Sequence, residues 1–448
     1  MIDKEALEKE LAEAAAVPGL SLAWRADTGD IETAVFGEVT AGAGRITPET
    51  LFQAGSVSKP VTAVAILRLV DQGVVNLDAD VNELLTSWRV PAVGDWQPVL
   101  TLRRLLTHTA GLTVHGFGGY AHDAEGPTVP QLLDGEPPAN SGAVRVAMMP
   151  GLVWKYSGGG TTIAQQTIVD VTGTPFPDLL RELVLEPAGM GQATFEQPLP
   201  ERLHELGATG HLPDGAAVEG RWHSYPEMAA AGLWCAPKDL VSFAGAVQAA
   251  VAGRPGALLP IELARLLVSP AFPEVSETMG IGFFLSGPET SDAEKPGATA
   301  QRFGHGGGDH GFLTDLSADI DGSRAAAAMV HSLAGGPVLR AAMLAAGATL
   351  GWPPPDDGAA SAGLDQKELL AAMGTYLTDD GRNFEVSYGE RGLTLTAPEQ
   401  PPLPLEMVSL LNWTTRLGLT MSFEVEGGRV AGISIHQAGT TLKAARRP

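Results

Sequence analysis

Apolar and polar positions alternate near the start of the chain and then take on a helical spacing. Residues 20–25 and 31–36 are largely apolar and flank the polar turn at residues 27–30, a pattern that predicts a β-hairpin. Mostly apolar residues run from 61 to 70 and stop before Gly73, and glycine is a common residue just beyond a helix end. The pattern therefore predicts two paired strands followed by one long helix.

Helical and strand-like segments are segregated along the next part of the chain. We predict helices over residues 161–171, 177–185 and 236–250, then strands over 282–285, 302–305, 311–316 and 325–330, and a last helix over 338–350. Strands at both ends with helices between them indicate one antiparallel sheet, flanked by helices and built from both ends of the segment. This is an α/β (α+β) arrangement.

The chain changes character after residue 350. Residues 351–363 are rich in proline and then in alanine and glycine, which predicts a linker. Residues 364–448 contain one short predicted helix and then strands with alternating apolar positions, as in a small antiparallel β-barrel or curled sheet. We therefore predict a first domain over residues 1–350 and a second over 364–448.

Composition excludes several classes of function. The 448 residues carry a net charge of −23, which opposes binding to nucleic acid or to anionic membranes. The single Cys235, in an apolar context, excludes an internal disulfide and a cysteine-built metal site. Residues 1–16 have the pattern of an amphipathic helix and not of a secretory signal, and no apolar run is long enough to span a bilayer. We therefore expect a cytoplasmic protein that acts on small molecules or peptides.

Candidate chemistry begins at the start of the long helix, where Ser56 and Lys59 stand at S-x-x-K spacing. On a helix these residues lie about one turn apart on the same face, so the lysine amine can take the serine proton. The apolar residues that follow favour a lysine with a lowered pKa, as a base requires. We interpret Ser56 as a nucleophile and Lys59 as its base, with a simple helix-capping serine as the alternative.

Two later segments complete a pattern. Tyr156 precedes Ser157-Gly158, and His305 precedes a run of glycines. With S-x-x-K, their order and spacing resemble the three motifs of the penicillin-binding-protein and serine β-lactamase superfamily, most strongly its class C β-lactamase-like esterases and D-amino-acid-specific peptidases. Residues 105–112 and 231–234 also look like recurring stretches of that group. The resemblance covers about residues 20–350 and implies a serine β-lactamase-like fold.

The resemblance implies a role for each motif. Tyr156 would pass the proton between Ser56, Lys59 and the leaving group as a phenolate or phenol, with a purely structural buried tyrosine as the alternative. His305 would supply a donor or a positive charge where most relatives have lysine. The backbone N–H groups of Ser56 and Gly308 would hold the oxyanion.

Glycines after the histidine have a physical use as well. Gly306 and Gly307 leave a strand edge without side chains, so that the backbone of a substrate can approach the nucleophile closely. Neither the residues nor the resemblance implies a cofactor.

Some residues depart from the family pattern. Gly158 stands where β-lactamases and carboxypeptidases usually have asparagine, so efficient β-lactamase activity is not expected.

His305, Asp309 and His310 are residue types that can bind a metal ion. Ligands separated by flexible glycines would be poorly preorganised, and we predict no metal site. His108 is interpreted as a structural residue that binds backbone.

The second domain resembles the lipocalin-like C-terminal domain of some family members. A chain with both domains and no signal looks like the penicillin-binding-protein-type thioesterases that release and cyclise nonribosomal peptides. The resemblance implies a peptidyl thioester or peptide substrate, a D-residue at the acyl position and a carrier protein as candidate partner. Arg446 is a candidate substrate-binding residue, with a solvated basic terminus as the alternative.

Two other functions stay open from the sequence. The same residues could serve a hydrolase, either a D-amino-acid-specific peptidase or amidase or a carboxylesterase, with water as acceptor. The protein could also be a binding module that has kept the fold without catalysis, with the barrel holding an apolar ligand.

Overall fold

The computed structural model describes residues 2–14, 16–27, 29–40, 42–273, 275–286 and 301–353, and then 373–378, 381–389, 392–398, 403–407, 412–414, 420–426, 429–437 and 440–447. The chain divides into two compact units, Met1–Pro354 and Pro355–Pro448. Among the described residues, no helix combines the length and the apolar character that crossing a bilayer requires.

Helices of the first unit are α1 (Lys4–Glu13), α2 (Ser58–Asp71), α3 (Val81–Leu84), α4 (Leu102–Leu106), α5 (Val129–Asp134), α6 (Gly158–Thr172), α7 (Phe176–Leu180), α8 (Met228–Ala231), α9 (Pro237–Val251), α10 (Ile261–Leu267) and α11 (Gly336–Leu350). Its strands are β1 (Gly19–Arg25), β2 (Glu32–Thr40), β3 (Ala43–Arg45), β4 (Phe52–Gln53), β5 (Tyr120–Ala121), β6 (His223–Ser224), β7 (Trp234–Cys235), β8 (Phe284–Ser286), β9 (Arg302–Asp309), β10 (Phe312–Asp319) and β11 (Ala325–Val330).

Seven of these strands form the central sheet, in the order β3-β2-β1-β11-β10-β9-β8. Every pair is antiparallel, and β1 from the start of the unit lies beside β11 from its end, with Leu20 opposite Val330. The predicted antiparallel sheet flanked by helices and built from both ends of the segment is therefore confirmed.

Both faces of the sheet are buried, because alternate side chains point to opposite sides of a strand. Leu20, Leu22 and Trp24 of β1 pack on one side with residues of α1 and α11. Ala23 and the other face of β11 pack on the opposite side, in a larger core shared with α2, α6 and α9. The alanines of β11 allow helices to approach closely on both sides.

The structure corrects three details of the sequence prediction. Ser56 is not in the long helix but in a separate 3₁₀ turn, Gly55–Val57, and α2 begins at Ser58. The helix predicted over residues 177–185 is divided into α7 and the π-helical turn Arg181–Leu185. The first residues of the predicted linker belong to the first unit, because Trp352 is buried and its indole N–H donates to Asp319 at 2.8 Å.

The second unit contains strands β12 (Gly374–Leu377), β13 (Asn383–Gly389), β14 (Gly392–Thr396), β15 (Leu403–Pro404), β16 (Glu406–Met407), β17 (Asn412–Thr414), β18 (Thr420–Glu426), β19 (Arg429–Gln437) and β20 (Thr440–Arg446). They form one antiparallel sheet in the order β15-β14-β13-β12-β20-β19-β18-β17-β16. Its outermost strands, β15 and β16, are consecutive in the chain and are separated only by Leu405. The sheet is therefore curled, as predicted.

Alternating apolar positions of this sheet form its own core, which includes Phe384, Val386 and Phe423. Val430 and Ile433 are both buried although they are three residues apart, because a β-bulge shifts the register between β18 and β19. The short helix predicted after residue 364 and residues 354–363 of the predicted linker lie outside the described residues.

Candidate active site

The turn that carries Ser56 is packed backbone to backbone against β9. Gly55 adopts φ = +53°, and a Cβ atom at this position would lie 2.6 Å from the backbone nitrogen of Gly308. Glycine is required here both for the left-handed conformation and for the close approach of the strand. The turn consequently places the backbone of Ser56 beside the strand that carries Gly308.

Lys59 lies one turn after Ser56 and reaches back to it. Its Nζ atom is 2.9 Å from the Ser56 Oγ and donates to the carbonyl oxygen of Ala230 at 2.8 Å. The lysine side chain is buried, with 3% of its surface exposed. A neutral amine in this position can donate to Ala230 while its lone pair accepts the Ser56 hydroxyl proton.

Burial lowers the pKa of Lys59 to about 7, and the charge of Asp309 opposes this shift. A lysine amine with this pKa is neutral in a large fraction of molecules near neutral pH. Because only the neutral amine can accept a proton, the site supplies a usable base next to Ser56.

We expect kcat/KM to rise with pH through about 7, since Lys59 must lose its proton before it can act as a base. Activity should fall progressively below that value and level off above it. The measurement is kcat/KM for an activated ester across about pH 5 to 9, with the fold monitored by circular dichroism. A profile that is flat over this range would contradict the assignment of Lys59 as the base.

Tyr156 stands just before the helix α6, whose N-cap Ser157 accepts the N–H of Gly160 at 3.1 Å. The tyrosine ring is surrounded by other rings and one amine. The distance between ring centroids is 4.2 Å to His108, 4.8 Å to His115, 6.3 Å to Phe284 and 6.2 Å to His305. The Lys59 Nζ atom lies 4.9 Å from the centroid of the Tyr156 ring. Packing on several sides fixes the orientation of the phenol.

The interaction of Ser56 with the Tyr156 hydroxyl lowers the pKa of the phenol, but burial has the larger effect. Burial raises the pKa of Tyr156 well above its usual value, so the group is a neutral phenol at ordinary pH. Of the two predicted forms, phenolate and phenol, the structure supports the phenol. Ser56 is thus placed between a neutral amine and a phenol, an arrangement that can move a proton in either direction.

His108 holds the backbone on both sides of Tyr156. Its carbonyl oxygen accepts the N–H of Lys155 at 2.8 Å, and its Nδ1 accepts the N–H of Ser157 at 3.2 Å. The residue has φ = +57°, a conformation that is uncommon outside glycine and is found near functional sites. His108 binds backbone in the way the sequence analysis predicted.

His305 requires a correction. Its Nδ1 contacts the carbonyl oxygen of Gly306 and must carry the hydrogen, because a carbonyl only accepts. Burial, with the nearby charge of Lys59, lowers the pKa of His305 to about 3, so the imidazole is neutral. The predicted positive charge is therefore wrong, and the donor is directed to the protein's own backbone. The buried Nε2, which has no partner within the described residues, is left as an acceptor.

The glycines after His305 differ in their surroundings. A Cβ atom on Gly307 would lie 2.0 Å from the carbonyl oxygen of Ala54, whereas one on Gly306 would meet nothing closer than 3.9 Å. Strand β8 pairs only with Arg302–Gly304, so in the described part of the chain no strand covers the outer edge of β9 beyond that point. Gly307 allows β9 to pack on the serine turn, and the uncovered edge suits the predicted approach of substrate backbone.

Gly158, the position at which the resemblance implies an asparagine in other proteins, is enclosed by a neighbouring loop. A Cβ atom at this position would lie 3.0 Å from the carbonyl oxygen of His115 and 3.0 Å from the Phe117 ring. The loop is held here because the His115 carbonyl accepts the N–H of Gly158 at 2.9 Å. Phe117 and the backbone of His115 thus fill the space into which an asparagine side chain would begin.

We expect Gly158→Asn to lower activity and stability and not to create β-lactamase activity. The new side chain would have to displace the His115 carbonyl or Phe117, at a cost of about 1–3 kcal/mol in the free energy of unfolding. Thermal unfolding and nitrocefin hydrolysis measure the two effects. The double variant with Phe117→Ala is the control, since relief of the crowding should restore part of the stability; a stable single variant that hydrolyses nitrocefin would contradict this account.

Two buried carboxyl groups, those of Asp309 and Glu227, interact with each other, and Asp309 also interacts with Lys59. Burial raises the pKa of Asp309. Glu227 is fully buried, and neither of its carboxyl oxygens has a hydrogen-bond partner among the residues that the structure describes. Burial raises the pKa of Glu227 to about 8. Within the described residues, no group of three or more histidine, cysteine, aspartate or glutamate side chains could hold a metal ion.

Sequence reasoning missed Glu227 and His115 and considered Asp309 only as a metal ligand. The other predicted site residue, Arg446, lies in β20 of the second unit, where its guanidinium donates to the Met373 carbonyl at 3.2 Å. A role for Arg446 in substrate binding remains a prediction.

Comparison with known proteins identifies a family and several similar proteins. The family profile described as Beta-lactamase matches residues 5–350. Among curated proteins, the chain is 32% identical to Esterase EstB of Burkholderia gladioli over 34% of this chain and 41% of the relative. It is 30% identical to Penicillin-binding protein 4 of Amycolatopsis lactamdurans, over 48% of this chain and 54% of the relative. The chain thus matches about half the length of these relatives.

Solved structures extend the likeness to both units. A structure of SurE covers 99% of this chain and 98% of its own, with 25% identity and a TM-score of 0.61, and a structure of SurE with D-Leu has 24% identity and a TM-score of 0.60 over the same shares. A D-stereospecific amidohydrolase from Streptomyces sp. covers 76% of this chain and 98% of its own, with 23% identity and a TM-score of 0.57. For the structures with less than 25% sequence identity, the likeness shows only that the fold is shared.

Proposed function

The chain belongs to the Beta-lactamase family and is one of its serine hydrolases or acyltransferases; from this premise we propose that it takes a peptidyl chain from a thioester and releases it as a head-to-tail macrocycle. The observation that carries the acyl-transfer chemistry is the Ser56 hydroxyl, held at 2.9 Å from a buried Lys59 amine whose pKa is about 7. A serine activated in this way attacks an acyl carbon.

The proposed reaction has two halves. Ser56 Oγ attacks the thioester carbonyl carbon while its proton moves to Lys59, and the N–H groups of Ser56 and Gly308 stabilise the oxyanion. The carbon–sulfur bond then breaks, Tyr156 delivers a proton to the leaving thiolate, and the proton held by Lys59 passes to Tyr156, so that the amine is neutral again. In the second half the amino group of the bound chain attacks the Ser56 ester and gives up a proton to the same groups. The ester bond breaks, the Ser56 oxygen takes up the proton that the amine gave up, and the products are a macrolactam and the Ser56 hydroxyl.

Features of the chain and its relatives support a peptide acyl group with a D-residue. The likeness to SurE covers 99% of this chain, including its second unit, and one SurE structure was solved with D-Leu. The missing asparagine at Gly158 argues against a β-lactamase. A carrier protein as thioester donor and Arg446 as a substrate-binding residue remain parts of the proposal.

Hydrolysis is the second candidate, because several relatives carry the names of hydrolases. Esterase EstB, a D-stereospecific amidohydrolase and a D-amino acid amidase are among them. In this alternative water replaces the amine in the second half, and the acyl-enzyme steps are unchanged. The difference between the two candidates is therefore the acceptor, which depends on how well the site excludes water from the ester.

The deciding experiment is mass spectrometry of the products formed from a peptidyl thioester that ends in a D-residue and has a free amino terminus. A product lighter than the linear acid by one water supports cyclisation. The same peptide with an acetylated amino terminus is the matched control, since it can yield only acid. Linear acid alone from the free peptide, with several sequences, would overturn the cyclase proposal in favour of a hydrolase.

A further inference from the structure

A cleft lined by two arginines lies beside α4 in the first unit. It has a volume of about 540 Å³, which is within the usual range for sites that bind small ligands. Its lining includes Thr101, Arg103 and Arg104 from one segment and Ala271 and Phe272 from another. The proposed reaction uses none of these residues.

The two arginines of the cleft differ in their partners. Arg103 is paired with Asp78, since its Nε and Nη2 atoms donate to the two carboxylate oxygens at 2.8 Å each. Arg104 is partly buried, and among the residues that the structure describes its guanidinium has no hydrogen-bond acceptor and no ion-pair partner. Because Asp78 is the only carboxylate among the lining residues, the charge of Arg104 is left without an opposite charge.

Thr101 adds a neutral donor to the cleft. Its Oγ1 atom accepts the backbone N–H of Arg104 at 3.3 Å, and in the described part of the chain its own hydroxyl hydrogen has no acceptor. A guanidinium presents several N–H donors in a fixed plane and binds carboxylate and phosphate groups well. With a hydroxyl beside it, the site suits an anion that has several acceptor oxygens, as phosphate does.

Short contacts connect Arg104 to Tyr156. The carbonyl oxygen of Arg104 accepts the N–H of Thr109 at 3.0 Å, and the ring of His108, the preceding residue, lies 4.2 Å from the ring of Tyr156 between centroids. A Cβ atom at Gly151 would lie 3.2 Å from the Arg104 guanidinium, and Gly151 is only five residues before Tyr156. The cleft therefore lies beside the reacting centre and not in it.

The second segment of the lining leads to the same tyrosine. The N–H of Ala271 donates to the carbonyl oxygen of Met279 at 3.1 Å, and Met279 pairs with Phe284. The ring of Phe284 is stacked on that of Tyr156, with their centroids 6.3 Å apart. In the proposed reaction Tyr156 protonates the leaving thiolate, so the cleft lies on the side of the site where the thiol departs.

We propose that this cleft binds a phosphate group carried by the leaving thiol, with Arg104 as the residue that holds it. The inference rests on the proposed function, in which a thioester is the acyl donor. A linker must separate the phosphate from the sulfur, because the cleft lies outside the reacting centre. Phosphopantetheine, a thiol with a phosphate at the far end of a flexible arm, has this chemistry. A carboxylate of the acyl chain is not expected there, since the acyl chain and the thiol lie on opposite sides of the bond that breaks.

The test compares two thioesters of the same peptide, one with phosphopantetheine and one with pantetheine, which lacks only the phosphate. For release of the thiol by the native protein, we expect kcat/KM to be about tenfold or more higher with the phosphorylated thiol, because hydrogen bonds between charged groups are strong. Arg104→Ala should bring the ratio of the two kcat/KM values to about 1. Arg104→Lys keeps the charge but loses the planar donors, so it should give an intermediate ratio.

Arg265→Ala is the matched control. Arg265 is an exposed residue of α10 that does not line the cleft, so this variant removes the same charge elsewhere and should leave the ratio unchanged. Taking a ratio also guards against partial unfolding, because loss of folded protein lowers both kcat/KM values equally.

The possible failures are distinguishable. A ratio near 1 in the native protein, with thiol released from both thioesters, would overturn the phosphate site and leave the proposed function in place, even if inorganic phosphate alone bound at Arg104. A high ratio that persists in Arg104→Ala would overturn it as well, and so would a preference for an acidic acyl chain that depends on Arg104. Release of thiol from neither thioester would instead overturn the proposed function, and the phosphate site with it.

Discussion

Ser56→Ala is expected to reduce turnover by about 10³- to 10⁶-fold and to leave the fold intact. The substitution removes only the oxygen that lies 2.9 Å from Lys59, and no attacking atom remains for the acyl group. Lys59 keeps its hydrogen bond to Ala230, so the buried amine stays anchored. Steady-state kinetics and the mass of the protein after treatment with a fluorophosphonate measure the loss.

Ser58→Ala is the matched control within the same motif. Its hydroxyl donates to the Gly55 carbonyl at 2.7 Å and accepts the Leu233 N–H at 3.0 Å, both structural contacts. This variant should lose about 1–3 kcal/mol of unfolding free energy, because a buried N–H loses its acceptor, yet Ser56 should still be labelled. Full activity in Ser56→Ala would refute the acyl-enzyme mechanism for the cyclase and hydrolase readings alike.

Gly307→Ala is expected to lower kcat by about 10²- to 10³-fold, the range seen when an oxyanion donor is lost. Its Cβ atom would lie 2.0 Å from the Ala54 carbonyl oxygen, and neither backbone can yield without movement of β9 or of the serine turn. Either movement separates the Ser56 and Gly308 N–H groups. We also expect the free energy of unfolding to fall by about 1–3 kcal/mol.

Gly306→Ala provides the comparison for stability. Its Cβ atom would meet only the Thr314 carbonyl oxygen, at 3.9 Å, which is ordinary contact, so thermal unfolding should change by less than about 2 °C. Loss of activity in this variant would report on contact with substrate and not on the packing of the turn. If Gly307→Ala were as active and as stable as the native protein, the close packing of β9 on the turn would be refuted.

Periodicity predicted the central sheet because both faces of its central strands β1 and β11 are buried and these strands are strongly apolar. The hairpin of β1 and β2 and the pairing of the first strands with the last followed from that pattern. The motif at Ser56 was visible because its spacing is local. The exact backbone of that turn was not, since a 3₁₀ turn and the first turn of an α-helix have the same apolar spacing.

Contacts made between distant segments could not be predicted. His115 reaches Tyr156 from a loop without periodicity, and Glu227 is a buried acid in a stretch that reads as the start of a short helix. Charge suggests exposure, so a buried carboxyl group such as Asp309 gives no signal of its own in a single sequence. The neutral state of His305 follows from burial, which the spacing of the motif does not encode.

Trp352 shows the same limit at the domain boundary. Prolines after it indicated a linker, but its indole is packed against the first unit and bonded to Asp319.

In the second unit, Val430 and Ile433 break strict alternation because of a β-bulge. A bulge is a property of two paired strands, so the sequence of one strand does not reveal it.

The pairing of β1 with β11 has a consequence for the synthesis of the protein. Leu20 lies opposite Val330, so β1 leaves the ribosome about 300 residues before its second neighbour exists. Closing a loop of that length costs at least about 5 kcal/mol of chain entropy. A nascent chain that ends before β9 can contain the whole S-x-x-K motif and yet have no Gly308 beside it. Until β11 has been made, β1 has one unpaired edge, which is a surface on which another chain can pair.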